Sequence, residues 1–141
     1  MQKELDAIEA LRKLKGFVGK AQLHALRDGW RGEEKQFFFD KLVEMAGIVQ
    51  TMPKTYEQDG KGDQAVAYLH YFAGGQANWY ITECDVETPE EPGQHQAFGL
   101  ADLFGDGGEL GYISIVELLE NGAELDLYFT PLTLGEIKKA A

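Results

Sequence analysis

The sequence has one cysteine, Cys84, and no lysine or arginine at all between Lys61 and Lys138. A lone thiol excludes an internal disulfide and fits a reducing compartment. The missing bases argue against a nucleic-acid groove in the second half, since such grooves need lysine or arginine to meet phosphates. No run approaches the roughly 18 apolar residues of a membrane-crossing helix. The first residues, Met1 to Asp6, are charged and lack an apolar signal core. These absences predict a soluble cytoplasmic protein with no membrane contact and no direct binding of nucleic acid.

What is present points to a folded chain. Its 141 residues include two Trp, six Tyr and eight Phe, and 44% of them are hydrophobic. That is enough apolar material for a single domain with its own core, and too much for a disordered acidic tail. The net charge of -11 is unevenly spread. Residues 1–60 hold ten bases and ten acids, whereas residues 61–141 hold three lysines and fourteen acids. The whole surplus therefore lies in the second part. Such asymmetry bears on solubility and partners, not on fold.

Periodicity divides the chain near Pro53. Leu5, Ile8, Leu11 and Leu14 recur at helical spacing over 3–15, a second helical segment spans 20–27, and Asp28 to Gly32 reads as a loop. A longer helix runs from Glu33 to Thr51, with Phe37, Phe38, Leu42, Met45, Ile48 and Val49 on its apolar side; it stops because a residue before proline resists the α conformation. Residues 55–63 are a polar connection. Beyond them the period becomes two: strands are expected over 65–72, 77–84, 96–103, 110–114 and 125–129. Residues 85–94 are expected as an exposed loop, 115–120 as a short helix ended by Asn121 and Gly122, and 134–139 as a terminal helical turn. Within 77–84, Trp79, Ile81 and Glu83 share one parity, with Tyr80 and Thr82 on the other. The expected fold class is α+β, with N-terminal helices (residues 1–52) packed on a small antiparallel sheet of about four or five strands in an acidic part (residues 53–141).

Candidate sites are weighed against plain structural roles. The glycines between Gly105 and Gly111 resemble a phosphate loop, but Asp102, Asp106 and Glu109 surround them and no lysine follows, so a hairpin turn is expected. Two acidic stretches, from Asp102 and from Glu57 to Asp63, depart from a calcium loop: Phe104 and Ile113 stand at ligand positions of one, Lys61 among the carboxylates of the other. His70, Glu83, Asp85, Asp102 and Glu109 lie on or beside neighbouring strands, and a set drawn from His70, Glu83, Asp102 and Glu109 would suit a divalent metal in a hydrolase or nuclease. Cys84 is flanked by two carboxylates, which disfavour a reactive thiolate. The aromatics Tyr68, Tyr71, Phe72, Trp79, Tyr80, Phe98 and Tyr112 lack the basic groove of a single-strand binder and are expected to pack.

Three blocks carry a likeness: Trp79 to Glu83 with Asp85, Gln96 to Leu103, and Glu109 to Leu118. In that order and spacing the chain resembles, over residues 52–135, the domain-of-unknown-function family 2958 of plasmids, phages and integrative elements. Thr55 to Gly60, His70 to Phe72 and Glu124 to Phe129 also look like the form found near or fused to antirestriction proteins. The resemblance implies a mobile-element setting and carries no catalytic residues or cofactor with it.

The combined expectation is a non-enzymatic accessory protein whose carboxylates face a basic host or element protein, as a DNA-like decoy in defence evasion or nucleic-acid transactions. The residues expected to meet that partner are Asp85, Glu87, Glu90, Glu91, Asp102, Asp106 and Glu109. No cofactor is expected. A metal-dependent hydrolase and a passive, oligomeric interaction module using the N-terminal helices are the alternatives.

Overall fold

Alanines face inward from the first helix, α1 (Gln2–Lys13), where Ala7 and Ala10 are buried together with Leu14 just beyond its end. The computed structural model describes residues 2–28 and 35–140 of the chain. In it α1 packs on α3 (Lys35–Thr51), and small side chains at the contact let the two helices approach closely. The spacing of large residues had pointed to Leu5 as part of the inner face, yet Leu5 is 52% exposed. The inner stripe is instead Ala7, Ala10 and Leu14, with Ile8 and Leu11 half-buried at its margin. On α3 the buried residues are Phe39, Leu42, Met45, Ala46 and Val49, while Phe37 is exposed and Phe38 and Ile48 are half-buried. The shorter α2 (Lys20–Asp28) lies between them in sequence. The expected loop at 29–32 and the helix start at Glu33 lie outside the described residues.

The second part is β-rich. Strands β1 (Val66–Ala67), β2 (Leu69–Ala73), β3 (Ala77–Glu83), β4 (Ala97–Asp102) and β5 (Glu109–Ile113) precede α4 (Ile115–Glu120), and β6 (Glu124–Leu125), β7 (Leu132–Thr133) and α5 (Leu134–Ala140) follow. Five strands form an antiparallel sheet in the order β5-β4-β3-β2-β6, and β1 pairs with β7 in a separate two-stranded ladder. The fold is α+β. The expected strand over 65–72 is in fact two: Tyr68 still donates its N–H to Ile81 O, but Val66 and Ala67 leave the main sheet for Leu132 and Thr133. The expected strand over 125–129 is shorter, because Asp126 turns out of line and its carboxylate meets His70.

The sheet separates two cores. Leu69, Tyr71, Ile81, Ala97, Ile113 and Leu125 face the helices and join Leu14, Leu42 and Met45. On the other face Leu100 meets Ala65, Ala67, Leu134 and Ile137, with Tyr80, Phe129 and Leu132 packed around them. Each fully buried leucine or isoleucine contributes about 1.5–3 kcal/mol, so the first core dominates stability and the smaller second layer is the weaker attachment. A reciprocal cap fixes the start of α5: Glu136 N–H donates to Thr133 Oγ1 at 3.1 Å, and Thr133 N–H donates to Glu136 Oε1 at 3.1 Å. The Thr133 N–H, and the Thr133 hydroxyl that donates to the same Oε1 at 2.9 Å, hold the Glu136 carboxyl below its usual value.

Glutamine side chains extend the ladders. Gln22 accepts Leu125 N–H at 2.9 Å and donates to Leu125 O at 2.7 Å, closing the outer edge of β6. Gln58 does the same for Val66, at 2.8 Å in both directions, and Gln94 for Asp85. An amide has one donor side and one acceptor side, so it can replace a peptide group that the sheet would otherwise leave unpaired. Gln94, only 1% exposed, also accepts Ile115 N–H through its backbone carbonyl. The loop expected to be exposed over 85–94 is therefore anchored at its end.

Tyr71 reaches through the first core. Fully buried, it donates its hydroxyl to Phe17 O at 2.6 Å, and burial pushes its phenol well above the usual value. Tyr71→Phe is expected to cost about 1–2 kcal/mol, because Phe17 O then lacks a donor. The check is the urea midpoint; an unchanged midpoint would mean that water takes the place of the hydroxyl.

Candidate functional site

The segment that leaves α3 builds one wall of a cleft. Pro53 O accepts Cys84 N–H and Thr55 N–H donates to Cys84 O, so the chain runs beside the end of β3 as a short parallel bridge. It then reverses at Tyr56, whose φ of +78° lies in the left-handed region. A non-glycine residue there costs roughly 1–3 kcal/mol, and persists only where its surroundings hold it. Here the holder is Glu83. Its Oε1 accepts Tyr56 N–H at 2.5 Å and its Oε2 accepts Gln58 N–H at 3.0 Å.

A β-bulge puts Glu83 in that position. Ile81 pairs with Gly99 whereas Glu83 pairs with Phe98, so two residues of β3 stand opposite one of β4. Simple alternation places Glu83 with Trp79 and Ile81, on the helix side. The bulge moves it to the face of Phe98, away from the helices. Gly99 makes this possible: a Cβ there would lie 2.0 Å from Tyr80 O.

The cleft lies between the turn at residues 56–62 and this face of the sheet. Its volume is about 480 Å³, and Phe98, Leu110 and Tyr112 form the floor with Ala65 and Leu134 at one side. Tyr56 and Tyr112 meet across the mouth, hydroxyl to hydroxyl at 2.6 Å, and Phe98 stands edge-on to Tyr112 with ring centres 5.6 Å apart. The Tyr112 phenol is raised above its usual value, first by the hydrogen bond with Tyr56, then by partial burial and by the negative charge of Asp59 and Glu83. Glu83 is 3% exposed and has no ion-pair partner among the described residues. The Asp59 carboxylate, also lining the cleft, has neither a hydrogen bond nor an ion pair among the described residues. Lys54 points elsewhere, with Nζ 3.2 Å from the buried Cys84 Sγ, and Lys61 does not line the cleft. The result is an anionic, aromatic hollow with no cation among the described residues of its walls.

The residues singled out from the sequence fall in several places. Glu87 accepts Gly93 N–H at 2.5 Å and Gln94 Nε2 at 3.0 Å, and Asp85 accepts Gln96 N–H, so these two carboxylates organise their own loop. Asp102 accepts the N–H groups of Gly105 and Asp106, and Asp106 accepts that of Gly108. The glycine-rich stretch is a hairpin turn joining β4 to β5. The carboxylates of Glu90, Glu91 and Glu109 are exposed, and none has a hydrogen bond or ion pair among the described residues. The loop carrying Asp85, Glu87, Glu90 and Glu91 joins one end of β4, and that carrying Asp102, Asp106 and Glu109 the other. Six residues of strand separate them, about 17 Å at ~3.3 Å per residue. The seven carboxylates do not form one row.

The metal set is not assembled either. His70 is occupied at both ring nitrogens, Nδ1 by Asp126 Oδ2 at 3.0 Å and Nε2 by Asn78 Oδ1 at 2.7 Å, and it stacks on Tyr80 at 4.7 Å. Glu83 and Asp102 are bonded to backbone N–H groups of separate turns. Among the described residues no three His, Cys, Asp or Glu side chains are grouped so as to hold a metal ion. The aromatics divide between packing and the cleft. Tyr71 is in the core, Tyr68 and Trp79 pack against it, Tyr80 joins the second core, Phe72 is exposed, and Phe98 and Tyr112 line the cleft. Tyr56, Gln58 and Asp59 were hidden in a stretch that reads as a mere connection.

No family model, no curated protein and no solved structure matches the chain. No helix among the described residues is long and apolar enough to cross a membrane.

Proposed function

We propose that the chain is a non-enzymatic binding protein that engages a basic protein through its acidic β-rich half, with the cleft beneath Tyr56 as the anchoring point. The observation that carries this reading is Glu83, a carboxylate only 3% exposed that lines the same cleft as Asp59, with no counter-charge to either among the described residues. Two backbone N–H groups meet the Glu83 carboxylate but no cation does, and a partner's base would supply the counter-charge on binding. The resemblance to family 2958 adds a mobile-element setting, in which a host or element DNA-binding protein is a natural target. The loop carboxylates at the two ends of β4 lend no support to a decoy with regular phosphate spacing, so the reading rests on the cleft. A metal-dependent hydrolase draws no support from His70, whose ring is fully engaged.

The test is retention of purified basic DNA-binding proteins on the immobilised chain, at low and high salt, with duplex DNA as competitor. Retention at low salt, release by salt and displacement by duplex are the expected results. If no basic protein is retained at low ionic strength, the negative charge serves solubility alone and the proposal fails.

A further inference from the structure

Resting on that reading, we infer that the cleft accepts one arginine side chain of the partner. Its lining is graded. Leu110, Leu134 and Phe98 offer apolar surface, and Glu83 and Asp59 offer negative charge. An arginine has the same grading, with a methylene stem that packs on apolar surface and a charged head. A volume of about 480 Å³ is ample for one side chain and falls in the usual range of ligand clefts.

Charge narrows the occupant. With two carboxylates and no cation among the described residues of the walls, the charge of a phosphate, a nucleotide or an acidic peptide is repelled. Shape then favours guanidinium over ammonium. Each Glu83 oxygen accepts one backbone N–H, at 2.5 and 3.0 Å, and keeps a second lone pair. A planar fork of N–H groups can use both oxygens at once, whereas an ammonium presents a point charge. The Phe98 and Tyr112 rings, perpendicular to one another, offer a flat face on which a guanidinium stacks. The paired hydroxyls of Tyr56 and Tyr112 leave free lone pairs at the mouth, within the same hollow, for a further N–H.

The strained turn has a place in this scheme. Tyr56 is held at φ +78° by the very carboxylate that would take the cation. Its ring and hydroxyl are thereby set at the cleft mouth before any ligand arrives, which removes an ordering cost from binding.

The experiment is a titration of the full chain with N-acetyl-arginine methylamide, followed by backbone amide NMR, beside the lysine and citrulline counterparts. Citrulline keeps the shape of arginine and lacks its charge. Saturable shifts at Tyr56, Gln58, Glu83 and Tyr112 are expected for arginine, with affinity roughly tenfold weaker for citrulline and for the chain carrying Glu83→Gln. The lysine compound is expected to bind several-fold more weakly than arginine. Asp59→Asn, at an exposed position, should weaken arginine several-fold and keeps the test decisive should Glu83→Gln not fold. Equal response to arginine and citrulline, shifts spread over the acidic surface, lysine binding as tightly as arginine, or no shift at all would overturn the inference. Retention of a basic protein without an arginine response in the cleft would sink the inference and leave the proposed function standing. Loss of both would remove both.

Discussion

Gly99→Ala is expected to lower stability by about 3 kcal/mol or more. The new Cβ would lie 2.0 Å from Tyr80 O and 3.0 Å from Ile81 Cα, both in the backbone of the neighbouring strand. No rotamer change relieves such a contact. β3 must shift, and β3 carries Ile81, which is fully buried in the main core. Overpacking a core typically costs 1–3 kcal/mol, and more where backbone must move. The readout is the urea midpoint at unchanged slope. Gly111 is the control, because it pairs with Gly99 across the next ladder and has open space where a Cβ would go. Gly111→Ala should fall within roughly 0.5 kcal/mol of the parent, as surface substitutions usually do. Equal behaviour of the two variants would mean that the strands are not bulged at Gly99.

Glu83→Ala should cost about 2–4 kcal/mol. It leaves Tyr56 N–H and Gln58 N–H without an acceptor, one part-buried and one buried, and each unmet buried donor costs about 1–3 kcal/mol. The loss spreads through a second link. Gln58 holds both peptide groups of Val66, and Val66 begins the ladder to Thr133. Amide exchange should therefore quicken at Tyr56, Gln58 and Val66, and again at Leu134, whose N–H donates to Ala65 O, while Leu69 and Ile81 remain protected. Glu83→Gln keeps one acceptor oxygen and should sit between parent and alanine. A Glu83→Ala chain with parental exchange at Tyr56 and Gln58 would show that the carboxylate does not hold the turn.

The two variants mark where a sequence can and cannot be read. The α+β class, the hairpins around Gly74 and Gly107, and the helix ends at Pro53 and Asn121 were all legible, because each depends on a local preference of a few residues. The side to which Glu83 points was not. Alternation assigns it to Ile81's face, and a single extra residue in the ladder reverses it. The one clue was Gly99 inside a strand, since such a glycine often marks a bulge or a close backbone approach. The break at Tyr68 was equally hidden: Ala65 to Phe72 has uniform strand character, and its division follows from partners that lie far along the chain. The cleft depended on both events, so its residues did not stand out as a set. The loop carboxylates stood out by number, and proved in part to be turn-forming groups such as Glu87 and Asp102.

The ladder between Val66 and Thr133 also orders events in time. Helices α1 and α3 and the β2-β3-β4-β5 meander draw on neighbours in sequence and can form while the chain is still being made. The second layer forms later, because Val66 must wait for Thr133, and long-range closure is slow compared with hairpin formation. Leu134 and Ala65, at the side of the cleft, come together in the same step. Until that ladder closes, Tyr80 and Leu100 lack the cover that Ala65, Ala67 and Leu134 give them. The cleft beneath Tyr56 therefore depends on a long-range closure that none of its residues signals locally.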